Sequence, residues 1–75
     1  MKKDIRLLEL GNRIRLERLK QNITQEQLAE MANVSIRTIS DIERGLTDIR
    51  YTNLLQISSA FNISISHLLD VNIIK

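Results

Sequence analysis

Apolar residues recur along this chain at the spacing of α-helices, in five blocks. The first block covers about residues 5–20 and places Leu7, Leu10, Ile14 and Leu19 within one broad stripe, with most basic residues elsewhere. Four shorter blocks follow at about 24–32, 35–44, 51–61 and 64–70. The pattern therefore predicts five helices and no strand, with an extended alternative open only for residues 71–74.

Polar residues with known end preferences bound these blocks. Thr24 and Gln27 have the spacing of a capping box, with Ile23 placed as the hydrophobic staple before it. Ser35 stands where the third helix needs an N-terminal cap. The expected helix ends fall on residues that tolerate left-handed backbone, namely Asn22, Asn33, Gly45 and Asn62.

The composition narrows the possible functions. The 75 residues make one domain, 1–75, and include no cysteine and one histidine, His67, so a thiolate or imidazole metal cluster is excluded. No apolar run reaches the roughly 18 residues that span a membrane. Nucleophile–base pairs, ligand sets and phosphate-binding glycine loops are missing as well. We expect a cytoplasmic protein that is not an enzyme and needs no metal or cofactor.

Charge is distributed unevenly along the chain. Residues 1–23 hold seven Lys or Arg against three acids, a balance of +4, and residues 24–75 hold four against six, a balance of −2. A basic first third fits an electrostatic face for a polyanion. It fits a solvated amphipathic helix equally well, so charge alone leaves both readings open.

The segment 24–45 carries the most specific pattern. Counted from Gln25, small Ala29 is at position five and Asn33, where the turn needs positive φ, is at position nine. The inward positions four, eight, ten, fifteen and eighteen are all apolar: Leu28, Ala32, Val34, Ile39 and Ile42. Two helices this short bury little surface alone, so they must pack against each other at a steep angle. The second helix then protrudes from the domain, as insertion into a DNA groove requires.

This motif, TQEQLAEMANVSIRTISDIERG, resembles the helix-turn-helix domains of the phage repressor and Cro type. The same domains occur in small prophage repressors and in restriction–modification controller proteins. The resemblance covers about residues 8–70. It implies an all-α, five-helix, lambda-repressor-like fold and a double-stranded DNA partner.

The resemblance also implies which residues meet DNA. The base contacts would be Ile36, Arg37, Ser40 and Asp41, and the phosphate contacts would be Gln25, Thr38, Arg44, Arg50 and Asn53. Arg37 suits guanine, because its fork matches O6 and N7 together. For Asp41 three roles stay open: accepting from a cytosine amine, repelling wrong sites, or holding Arg37 four residues away.

Four further residues are expected to have structural roles. The family often pairs an arginine at the end of the first helix with a glutamate at the end of the third, and Arg18 and Glu43 stand at these places. Tyr51 is expected to pack on the fourth helix rather than to bond a phosphate. His67 is expected at the surface or in a dimer contact.

The leading functional hypothesis is a sequence-specific transcriptional regulator that binds a pseudo-palindromic operator as a homodimer. One short recognition helix reads few base pairs, and a two-fold axis places two of them in successive major grooves. The expected interface consists of apolar residues near the C-terminus, including the apolar tail 71–75: Ile65, Leu68, Val71, Ile73 and Ile74. The alternative is an antitoxin or other protein-interaction module of the same fold.

Overall fold

Five helices follow one another along residues 4–70, the part of the chain that the computed structural model describes. They are α1 (Ile5–Lys20), α2 (Gln25–Ala32), α3 (Ile36–Glu43), α4 (Tyr51–Phe61) and α5 (Ile65–Leu68). No strand occurs among residues 4–70, and the predicted all-α, five-helix class is confirmed. The extended alternative for residues 71–74 lies outside the described residues.

The helix ends follow the predicted local signals. The Thr24 hydroxyl accepts from the Gln27 amide at 3.0 Å, and the Gln27 side chain accepts from the Thr24 amide at 2.8 Å. Both halves of the capping box are therefore formed. The four residues at the expected helix ends all have left-handed backbone: φ is 61° at Asn22, 58° at Asn33, 59° at Asn62 and 70° at Gly45.

The core joins all five helices. Helix α2 packs against α3 and α4, α1 packs against α3, and α4 packs against α5. Six large side chains are fully buried, and each contributes about 1.5–3 kcal/mol of burial free energy; they are Ile14, Leu28, Ile39, Ile42, Ile57 and Leu68. The helix-turn-helix pair is thus held on both sides by the rest of the chain.

Three of the sequence-based expectations about burial are wrong. Leu68 is completely buried in the core, so it is unavailable to a partner subunit. Leu19 is 49% exposed because it lies five residues from the fully buried Ile14, roughly 140° around α1. Tyr51, expected to pack on α4, is 66% exposed at the first position of that helix.

Gly11 allows α1 to cross very close to α3. A Cβ atom at this position would overlap the carbonyl oxygen of Ile42 and would lie 3.0 Å from that of Glu43. Both obstacles are backbone atoms, which cannot move without displacing α3. Side-chain periodicity gives no signal for this close crossing, although Gly11 interrupts an otherwise good helix-forming stretch.

A buried ion pair joins the same two helices. Arg18 on α1 donates through Nε to one carboxylate oxygen of Glu43 on α3 at 2.7 Å and through Nη2 to the other at 3.1 Å. A third donation, from Nη1 to the Ile23 carbonyl at 2.9 Å, fixes the guanidinium against the turn before α2. The pair is bidentate, and it lies at the two positions where the resemblance implies an arginine–glutamate pair.

A second polar cluster joins α1 to the C-terminal helices. Glu17 is buried and accepts from Gln21 at 2.8 Å and from Arg13 at 3.1 Å. Gln21 also donates to the Phe61 carbonyl at the end of α4, and Arg13 donates to the His67 carbonyl of α5 at 3.5 Å. The Gln21 hydrogen bond is the main reason that the pKa of Glu17 is lowered, against the opposing effect of burial.

We predict that Gly11→Ala destabilises the protein by about 2 kcal/mol or more, because the added methyl group forces α1 and α3 apart. Replacing an exposed helical glycine by alanine normally stabilises a protein by about 0.5–1 kcal/mol. A loss of stability would therefore point to the close crossing rather than to helix propensity. Chemical denaturation measures the change in unfolding free energy. Asn12→Ala, at the exposed neighbouring position, serves as the control and should leave stability unchanged or slightly raised. A stabilised Gly11→Ala variant would contradict the close crossing.

We also predict strong coupling between Arg18 and Glu43. Glu43→Leu alone should cost about 3–5 kcal/mol, because it leaves a buried guanidinium without its counter-charge. The double variant Arg18→Met/Glu43→Leu should lose much less than the sum of the two single variants. The measurement is a double-mutant cycle of unfolding free energies; additive losses would show that the pair has no structural role.

Candidate nucleic-acid interface

Helix α3 has one buried side and one outward side. Ser35 caps its N-terminus by accepting from the Thr38 amide at 3.0 Å, so the helix begins where the motif predicts. Ile39 and Ile42 point into the core with 0% and 1% exposure. On the other side, Ile36 is 47% exposed and the Arg37 side chain is 88% exposed.

Three charged side chains of α3 and its C-terminal cap meet on this outward side. Arg37 Nε lies 3.7 Å from one Asp41 oxygen, and Arg44 Nη2 donates to the other at 3.3 Å. Ser40, between them in sequence, is half-buried. The structure thus brings Arg37, Asp41 and Arg44 together. Of the three roles that the sequence left open for Asp41, the contact with Arg37 is present.

Gln25 connects α2 to the C-terminal end of α3. It is the first residue of α2, and its side chain donates to Glu43 at 3.1 Å. The amides of Gln25 and Glu26 precede the one that Thr24 caps, and amides at this place have no acceptor within a helix. The N-terminus of α2 therefore offers backbone donors and a positive dipole end beside a side chain that Glu43 holds in place.

The remaining predicted phosphate contacts lie on α3 and at the start of α4. Thr38 is half-buried, and its hydroxyl shares a 2.8 Å hydrogen bond with that of Ser35. Arg50 is exposed at the N-terminal cap of α4, and Asn53 is half-buried in the first turn of that helix. Within residues 4–70, neither makes a side-chain hydrogen bond or ion pair with α2 or α3.

Most basic residues of α1 are paired with carboxylates of the protein. Arg18 is buried against Glu43, Arg13 pairs with Glu17 at 3.1 Å, and the Lys20 amine lies 4.0 Å from the same carboxylate. Arg6 pairs with Asp4 at 2.7 Å, and the hydrogen bonds between them lower the pKa of Asp4. Arg15 is exposed and forms no ion pair within residues 4–70. Of the two interpretations of the basic first third, the structure favours a helix most of whose described cations are paired within the protein.

No group of three or more His, Cys, Asp or Glu residues in the described segment could hold a metal ion. His67 is exposed, as expected. Across residues 4–70, every helix is too short or too polar to cross a membrane.

Comparison with known sequences supports the resemblance. A family model described as helix-turn-helix matches residues 14–68. The chain is also similar to the control protein C.BamHI of Bacillus amyloliquefaciens, with 41% identity over 71 residues, which cover 93% of this chain and 86% of that protein.

Solved structures show the same similarity. The restriction–modification controller protein C.AhdI from Aeromonas hydrophila matches with a TM-score of 0.85 and 26% identity, over 87% of this chain and 98% of that one. The P22 c2 repressor, solved in complex with synthetic operator 9T, matches with a TM-score of 0.74 and 41% identity, over 81% of this chain and 92% of that one. The chain belongs to the helix-turn-helix family, in its Cro/C1-type branch.

Proposed function

We propose that this protein is a transcriptional regulator that binds a specific site in double-stranded DNA as a homodimer. The observation that carries the proposal is the exposure of the α3 outward side, where Arg37 extends from a helix that the core and the Arg18–Glu43 pair hold rigidly. Similarity to a control protein and to a repressor solved with its operator supports it. Such a regulator would act in the cytoplasm, where bacterial DNA lies.

The outward side of α3 supplies groups suited to base edges. The Arg37 guanidinium can donate two parallel hydrogen bonds to guanine O6 and N7. Ile36 offers an exposed apolar side chain to a thymine methyl group, and Ser40 a hydroxyl to either kind of base-edge group. These side chains lie in the first turns of α3, the part of a recognition helix that enters the major groove.

The flanking residues supply phosphate contacts. Gln25 and the N-terminal amides of α2 form one clamp, and Arg44, exposed after α3, forms a second. Arg50 at the start of α4 provides a third, with Thr38 and Asn53 as neighbours. Such contacts fix the register of the protein on the duplex without reading its sequence.

A homodimer is proposed because α3 is only eight residues long. A helix of this length contacts few base pairs, and two copies related by a two-fold axis read two half-sites one helical turn apart. Of the expected interface, Leu68 is ruled out by burial, Ile65 is half-buried, and Val71, Ile73 and Ile74 lie outside the described residues. Two exposed apolar residues of the same region replace Leu68 in the proposal: Leu55 and Leu69.

We predict that Arg37→Ala weakens binding to the preferred site by about 1–3 kcal/mol and relaxes discrimination at one base pair. Binding to unrelated DNA should weaken much less. The site is first isolated by selection from random duplexes, and affinities are then measured at several salt concentrations, since phosphate contacts are salt-dependent.

Lys20→Ala is the matched control for Arg37→Ala. It removes one positive charge from an exposed side chain of α1, outside the helix-turn-helix pair. It should weaken both kinds of binding slightly and equally. An Arg37→Ala variant that behaves like this control would show that Arg37 contributes only charge.

We predict that Leu69→Glu shifts the protein toward monomer in sedimentation equilibrium, because a charge in an apolar interface would have to be desolvated. Leu16→Glu, on the outward side of α1, is the control; its parent residue is 51% exposed, against 43% for Leu69. Both variants should remain folded. If the two variants associate equally, the α4–α5 surface is not the interface.

A further inference from the structure

Asp41 lies between the two arginines of the outward side of α3. Its side chain is 28% exposed, whereas those of Arg37 and Arg44 are 88% and 62% exposed. The carboxylate is thus set back between two longer cations that extend beyond it. An acid at this place repels the phosphates of every DNA sequence, so its effect on binding depends on what else it contacts.

The contact with Asp41 leaves the terminal Nη groups of Arg37 available to a base. Asp41 meets the guanidinium at Nε, at 3.7 Å, and this contact does not engage the two terminal Nη groups. Those groups supply the end-on pair of donors that guanine O6 and N7 accept. Because Arg37 and Asp41 are four residues apart on one helix, their attraction restricts the rotamers that the Arg37 side chain adopts.

The carboxylate itself imposes a requirement on the base that faces it. An ionised carboxylate only accepts hydrogen bonds, and in the major groove a cytosine presents its N4 amine alone. A guanine presents two acceptors, a thymine presents an acceptor and a methyl group, and an adenine places an acceptor beside its amine. Against these edges the carboxylate would lose water without full compensation, which is costly.

We propose that Asp41 is a specificity-determining residue: it orients Arg37 toward a guanine and requires a cytosine amine at a neighbouring position of the site. The inference rests on the proposed function and deepens it, because it names the base-pair chemistry that α3 selects. Asp41 acts mainly by rejecting other bases, through repulsion and desolvation, rather than by adding affinity.

The test is a parallel selection from random DNA duplexes with the wild-type protein, with Asp41→Asn and with Glu30→Gln. The wild-type protein should enrich a site with a guanine and, next to it, a fixed cytosine. Asp41→Asn should lose the cytosine and accept adenine there, since an amide pairs with adenine N6 and N7. Its affinity for unselected DNA should rise, and the ratio of specific to non-specific affinity should fall by about tenfold.

Glu30→Gln makes the same change in net charge at an exposed position on α2. It should retain the cytosine preference, and all three proteins should show similar thermal unfolding midpoints. Asp41→Asn enriching the wild-type site unchanged, or Glu30→Gln matching its effects, would overturn the role of Asp41 while leaving the proposed function intact. Failure of the wild-type protein to enrich any site would overturn both.

Discussion

The position of α3, the proposed recognition helix, depends on the buried ion pair between Arg18 and Glu43. Glu43 accepts from Arg18 on α1 and from Gln25 on α2, and it belongs to α3 itself, so one carboxylate fixes three helices relative to each other. A helix of eight residues has little stability alone. Breaking one partner leaves a buried charge uncompensated, and alternative packings of α3 are therefore disfavoured more strongly than apolar contacts alone would disfavour them.

Pairing of charges within the protein also limits its electrostatic attraction to DNA. Most described cations of α1 are paired with carboxylates, and the net charge of the chain is only +2. Non-specific affinity comes mainly from the number of phosphates that a protein neutralises. A protein with few available cations must therefore gain its affinity from short-range contacts at the correct site. The proposed homodimer would double the small number of contacts that each subunit makes.

Sequence reasoning was most successful where local chemistry decides structure. Helix ends followed from Thr24, Asn33 and similar capping residues, whose effects need no tertiary information. It failed where a neighbouring element decides: α5 has four residues, too few for a periodicity that would separate buried Leu68 from exposed Leu69. The Gly11 crossing depends on the distance between two backbones, which side-chain patterns do not encode. For the site, residue types on α3 could be predicted, but which partner Asp41 holds could not.

An acidic residue on a helix that faces a polyanion reduces affinity for every sequence, so its presence on α3 needs a compensating gain. In a homodimer, each half-site would face one Asp41. That residue would both weaken binding to DNA and discriminate against wrong bases there. Because free energies add over the two half-sites, the ratios by which each rejects a wrong base multiply. In the proposed homodimer, a modest rejection of wrong bases by Asp41 in each subunit would become a large one, whereas the repulsion between Asp41 and the phosphates would be partly screened by salt. The position of Asp41 between Arg37 and Arg44 is the arrangement that this balance favours.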